Sequence, residues 1–373
     1  MVLQGSISHC SSSSWLIIIP RLVLLPQLLL PLLLYFGNKT EAHYKNIPAV
    51  IVFGDSTVDA GNNNFIDTIA KGNFAPYGRD FDGGNKPTGR FCNGRLSTDF
   101  ISDALGIKPF IPAYLDPAYS IEDFATGVTF ASASTGYDNL TAQVLNVIPL
   151  WKQLEFFKEY KKRLEIYCGI ATAQTIIQEA IFVISVGTND FIVNYYVFPE
   201  RSNQFTVEEY ENFLLSLSEK FMLEIYKLGA RKISLTGVPP IGCLPIVRTV
   251  FNLKFGRACR EDLNEMSRSF NRKTRDLVSK LRREVKGLKL AFNDPYGLIL
   301  SVVKHPHSHG IDIVAEGCCG TGVLELGFLC PKSNECSCPD ANKYAFWDSV
   351  HPTEKLYRII VDYTLNTTLR ELS

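Results

Sequence analysis

Three segments hold side chains whose types and spacing could form a serine nucleophile with its general base. In the first, Phe53-Gly54-Asp55-Ser56-Thr57 ends the apolar run 49–53 at a glycine. A serine there can sit on a tight turn opening a helix, with its hydroxyl exposed and backbone N–H groups facing developing negative charge. Taken alone, it reads more readily as an N-cap. No Gly-x-Ser-x-Gly occurs, so the α/β-hydrolase elbow is absent. In the second, Val186-Gly187-Thr188-Asn189-Asp190-Phe191 ends another apolar run. The Asn189 amide could donate to an oxyanion without adding charge, although Asn-Asp alone reads as a turn or helix cap. The third, Phe346-Trp347-Asp348-Ser349-Val350-His351-Pro352-Thr353, sets Asp348 three residues before His351 in a turn fixed by proline. There the carboxylate can orient the imidazole and stabilise its charge, and the imidazole can take a proton from a serine hydroxyl.

Two other clusters compete for a chemical role. His305-Pro306-His307-Ser308-His309 could present alternate imidazoles to a metal, but no carboxylate follows until Asp312, and the proline favours a solvated loop. Cys318, Cys319, Cys330, Cys336 and Cys338 lack the separated Cys-x-x-Cys pairs of a zinc site. In an oxidising compartment they read as disulfides whose connectivity one sequence leaves open. Of the ten cysteines, Cys10 lies in the leader, so the odd remainder leaves at least one unpaired or bonded elsewhere.

The elements that must position these groups alternate along the chain. Apolar runs at 49–53, 128–131, 181–186, 232–236 and 288–292 read as buried strands. Periodic patterns over 151–167, 207–228, 260–285 and 353–369 read as helices. Strands separated by helices imply a parallel sheet covered on both faces. Sites in such sheets form beyond the carboxyl ends of the strands, which is where Ser56 and Asn189 fall.

The 373 residues show no internal repeat or long linker and suit one large domain. Lys plus Arg equal Asp plus Glu at 38 each, and no basic stripe interleaves with aromatics, so no nucleic acid partner is expected. Lys161-Lys162-Arg163 reads as a solvated helix face. Residues 15–36 are almost wholly apolar but broken by Pro20, Arg21, Pro26 and Pro31, whereas a membrane span prefers about 20 uninterrupted apolar residues. Thr40-Glu41-Ala42 supplies a small-x-small end. The expectation is a cleaved signal peptide over 1–42, although nothing basic precedes Arg21, and a domain over 43–373 that is secreted, with no stable membrane span. An uncleaved anchor is the alternative. Asn139 and Asn366 head N-glycosylation acceptors, and Asn38 heads a third inside the leader.

Phe-Gly-Asp-Ser at 53–56, Gly-Thr-Asn-Asp at 187–190 and Asp-Ser-Val-His at 348–351, in that order, resemble blocks of the GDSL (SGNH) hydrolases. Residues 58–64, 89–94, 127–132, 239–243, 318–322 and 346–348 resemble the plant branch of that family, so the likeness runs from about residue 48 to the C-terminus. The resemblance implies an α/β fold: a three-layer α/β/α sandwich with a mostly parallel, flavodoxin-like sheet, needing no metal or organic cofactor. It implies Ser56 as nucleophile, His351 as general base and Asp348 as its orienting carboxylate. The oxyanion donors would be the Ser56 N–H, the Asn189 side chain and a third backbone N–H that the family places on glycine. Here Ser134 stands at that position, which puts the local loop geometry in question. The Asn62-Asn63-Asn64 run, Pro239, Pro240 and Cys243 read as structural turns. The implied activity is hydrolysis of an ester (lipid, acylated polysaccharide or metabolite ester) by a monomer through an acyl-enzyme. Acyl transfer to another alcohol, or a non-catalytic secreted binding glycoprotein of the same fold, are the alternatives.

Overall fold

The computed structural model describes residues 47–251 and 257–373. The expected signal peptide, His43 and the Asn38 acceptor lie outside those residues. The centre is a parallel sheet of β1 (Val50–Gly54), β2 (Gly127–Thr129), β3 (Ile181–Ser185), β4 (Lys232–Thr236) and β5 (Lys289–Asn293). Its spatial order is β2-β1-β3-β4-β5, with Phe53 in register with Ile184. That order is the flavodoxin-like one, whose switch point lies where β1 meets its neighbours.

Side chains alternate across each strand. Ile51, Phe53, Phe182, Ile184, Ile233 and Leu235 enter the larger core, under α2 (Leu150–Cys168), α3 (Ile170–Glu179), α4 (Val207–Lys227) and α5 (Glu261–Glu284). Val50, Val52, Ile181 and Val183 enter a second core, under α1 (Ser97–Ala104) and α7 (Glu354–Thr364). The helix α6 (Tyr296–Lys304) follows β5. Phe53 anchors the end of β1: its ring stacks or meets edge-on those of Phe130, Phe157, Phe182 and Phe221, at centroid distances of 5.2 to 6.5 Å. Emptying such a position costs about 3–5 kcal/mol, so the turn after it starts from a fixed point.

Helix ends follow local chemistry. Thr206 accepts from the Glu209 N–H while the Glu209 carboxylate reaches back, a capping box that starts α4. Thr353 caps α7. Three expectations differ from the structure. The run at 128–131 pairs as a strand only to Thr129, because Thr129 turns its backbone to Pro112 and Tyr114. Phe130 and Ser132 still donate to Val52 and Gly54 beside it. The last helix closes as α7 at Thr364 and continues through a wider π turn over Leu365–Leu369. A small parallel pair, β6 (Ile313–Gly317) and β7 (Tyr344–Phe346), was not anticipated, and it feeds the chain into Trp347 and Asp348.

Candidate active site

Gly54 ends β1 at φ +141, where an added Cβ would lie 1.9 Å from the Ser185 carbonyl oxygen. Only glycine lets the two backbones approach so closely. Beyond it the Asp55 N–H donates to the Ser185 carbonyl at 3.0 Å, and Ser56 sits in a turn closed by Val58 N–H to Asp55 O. No helix opens at Ser56, contrary to expectation; the next helical turn is a short 3-10 segment at Asn62–Phe65. Carboxylates cap the amides here instead. Asp55 accepts from the N–H and hydroxyl of Thr57, and Asp59 from the N–H groups of Gly61, Asn62 and Ala133. Burial pushes the Asp55 carboxyl up to about 6, against the lowering effect of its Thr57 donors and of His351. The three asparagines are structural: their amides tie this loop to the carbonyls of Thr129, Ala131, Ala70, Ala133 and Thr88.

Ser56, His351 and Asp348 come together across 295 residues of sequence. The Ser56 Oγ lies 2.7 Å from His351 Nε2, and His351 Nδ1 lies 2.7 Å from Asp348 Oδ2. Asp348 Oδ1 accepts from the N–H groups of Val350 and His351 at 2.9 and 2.8 Å, which fixes the turn. All three side chains are buried, at 7%, 3% and 0% exposure. The Phe91 ring lies 5.0 Å from the imidazole.

Tyr77 went unnoticed in the sequence. Its hydroxyl donates to Asp348 Oδ2 at 2.8 Å and accepts from the Gly327 N–H at 2.9 Å. Burial foremost, then the Asp348 charge, raises the phenol well above its ordinary value, so it stays a donor. No spacing pattern marks such a residue, because its partner is 271 positions away.

The segments that follow β2 and β3 carry Ser134 and Asn189. Ser134 adopts φ +67, the left-handed conformation a glycine takes without strain, so the backbone path survives the substitution. Among the described residues, neither the Ser56 N–H nor the Ser134 N–H has a protein acceptor. Asn189 Nδ2 donates one hydrogen to the Thr135 carbonyl at 3.0 Å and keeps a second to offer. Asp190 then locks the loop, accepting from the Tyr137 and Asp138 N–H groups and the Thr141 hydroxyl at 2.8, 3.1 and 2.7 Å. Burial pushes its carboxyl up to about 7 despite those donors.

The remaining candidates lie elsewhere. His307 and His309 occupy an exposed turn, with His307 beside Asp312 at 3.3 Å, and no group of three or more metal-capable side chains assembles among the described residues. Disulfides join Cys243 to Cys259, Cys318 to Cys338 and Cys319 to Cys330, while Cys92, Cys168 and Cys336 are free. Asn139 and Asn366 are both exposed, but Thr141 and Thr368 of their acceptors are buried. No helix among the described residues is long and apolar enough to cross a membrane.

The GDSL-like lipase/acylhydrolase family profile matches residues 50–364. Three proteins of Arabidopsis thaliana, each called a GDSL esterase/lipase, are similar along most of their length. One is 55% identical over 85% of this chain and 90% of the relative. A second is 51% identical over 89% and 94%, and a third 52% identical over 86% and 91%. A match of this extent, on a flavodoxin-like sheet with serine, histidine and aspartate converging at its switch point, places the chain in the GDSL-like lipase/acylhydrolase family as a carboxylic ester hydrolase.

Proposed function

We propose that this chain is a secreted serine esterase that works through an acyl-enzyme. The observation that carries the reading is the unbroken hydrogen-bonded chain from Ser56 Oγ through His351 to Asp348. His351 takes the Ser56 proton as Oγ attacks the ester carbonyl. Asp348, held by Tyr77 and two backbone N–H groups, orients the imidazole and stabilises its charge. The N–H groups of Ser56 and Ser134 and the free amide hydrogen of Asn189 receive the oxyanion. His351 then protonates the leaving alcohol, and water, activated by the same imidazole, releases the acid and restores Ser56.

Secretion rests on the apolar leader and on three disulfides, which persist in oxidising compartments. The reading takes residues 1–42 as the signal peptide and 43–373 as one monomeric domain. Nitrophenyl esters of graded chain length, assayed with the wild type and Ser56→Ala, test the mechanism. The variant should lose on the order of 10⁶ in kcat, and an organophosphate should label Ser56 alone. Full turnover in the variant, or labelling elsewhere, refutes the assignment. A polyol added to the same assay separates hydrolysis from acyl transfer.

A further inference from the structure

Two arginines among the described residues are buried, Arg90 and Arg248, at 5% and 6% exposure. Arg90 is matched: its Nε and Nη2 donate to the two Asp99 carboxylate oxygens at 2.9 and 2.8 Å. Arg248, on the short helix Pro245–Val250, has no carboxylate within reach among the described residues. Its one hydrogen bond there runs from Nη2 to Cys259 Sγ at 3.0 Å, a sulfur already bonded to Cys243 and a weak, uncharged acceptor. Its Nε is sealed from solvent with no acceptor at all. Its Nη1 is neither bonded nor sealed, which leaves one side of the guanidinium fork open.

A guanidinium stays charged at any working pH, and a buried charge without a partner is costly. The nearest charge adds to that cost. Burial foremost, then the Arg257 charge, holds the Arg248 guanidinium below its ordinary value, and no acidic group offsets them. Arg257 is engaged with Glu316 at 3.3 Å and with the Ala315 carbonyl at 2.9 Å, while its own Nε is sealed without an acceptor. Two guanidiniums against one carboxylate leave a positive charge over. Residues 252–256 between them read Asn-Leu-Lys-Phe-Gly and hold no acidic side chain. Neither the described residues nor that segment supplies the missing countercharge.

We propose that Arg248 and Arg257 form a binding site for a small oxyanion, a carboxylate, phosphate or sulfate group that offers two oxygens to the Arg248 fork. Such a group matches the guanidinium with two parallel hydrogen bonds, whereas a chloride ion has only one centre to offer. An occupant holds the two arginines together and fixes the helix Pro245–Val250. That helix already touches the turn carrying Asp348 and His351, because the Ile246 N–H donates to the Ser349 carbonyl at 2.9 Å. Neither Ser56, His351 nor Asn189 takes part, so the site stands apart from the serine-esterase reading above.

Thermal melting of the wild type and of Arg248→Met, at constant ionic strength with chloride replaced stepwise by acetate, phosphate or sulfate, reads occupancy without any enzyme assay. A ligand of the folded state raises Tm by mass action. Sulfate and phosphate also stabilise proteins by exclusion from their surfaces, so the difference between the two proteins is the measure. In chloride, Arg248→Met should melt no lower than the wild type, since it removes an uncompensated buried charge. At least one oxyanion should then raise the Tm of the wild type above that of the variant, and the one that does so names the group the site takes. Calorimetric titration with that anion should give one site per wild-type chain and at least tenfold weaker binding in the variant. Equal Tm responses of the two proteins to all three oxyanions overturn the proposal, as does an Arg248→Met that melts lower in chloride. If Arg248→Met does not fold, Arg248→Lys takes its place in the oxyanion comparison: it keeps the charge but loses the fork, and should bind at least tenfold more weakly. Titrations of the wild type that show no heat with any of the three anions also overturn the proposal.

Discussion

In the mechanism we propose, Asn189 and Ser134 serve the same negative charge through different atoms, so substitution separates them. Asn189 offers its side chain, and Asn189→Ala should cost about 10²–10³ in kcat, the loss of one oxyanion donor, with little change in KM. Ser134 offers only its backbone. Its φ of +67 costs a residue with a Cβ roughly 1 kcal/mol, so Ser134→Gly should leave kcat within a few-fold and the fold no less stable. Steady-state kinetics and denaturant titrations check both. Asp55 makes a prediction about pH. Its folded carboxyl, near 6, binds a proton more tightly than the unfolded one at 3.8. Its contribution to stability is therefore complete below 3.8 and is lost as pH rises through about 6. Asn keeps the oxygen that accepts from Thr57, so between pH 4 and 6 the Tm of Asp55→Asn should fall less steeply than the wild type's. Parallel Tm curves would show that Asp55 titrates alike in both states. At this scale the serine, aspartate and histidine were legible because each sits in a short motif, whereas Tyr77 has none.

The loop after β2 and the segment after β3 work as one element. Asp190 accepts from Tyr137, Asp138 and Thr141, and Gly136 lies so close that an added Cβ would sit 2.1 Å from Asp190 Oδ1. Gly136→Ala should therefore push apart the loop that presents the Ser134 N–H. A displacement near 1 Å costs on the order of 10² in rate, and the forced side chain about 1–3 kcal/mol in stability. Rate and Tm of this variant should both fall, against Ser134→Gly two residues away, which keeps the rate within a few-fold and does not lower the Tm. The strands β1, β3, β4 and β5 and the helices α2, α4 and α5 were legible to within a residue or two because apolar periodicity is a local signal. The end of β2 and the β6–β7 pair were not, since neighbours distant in sequence decide where each stops pairing.

Across the whole molecule, the disulfides brace the segment that carries Asp348. Cys318 and Cys319 donate their N–H groups to the Phe346 and Trp347 carbonyls, and both are bridged, to Cys338 and Cys330. Each closed loop of this size stabilises by about 3 kcal/mol in the chain-entropy account. Reduction should lower the Tm and, below it, weaken turnover by loosening Asp348; unchanged kinetics in a reductant would separate that loop from the site. Protein recovered from a secretory host should begin near His43 and carry glycans at Asn139 and Asn366. A mature chain still holding Leu28 would identify an anchor instead. The sequence by itself determined the parallel α/β order and the three site motifs, since strand runs, turn residues and Asp348–His351 spacing act over a few residues. Tertiary structure alone decided the 295-residue approach of Ser56 to His351, the Tyr77 brace and the cysteine pairing.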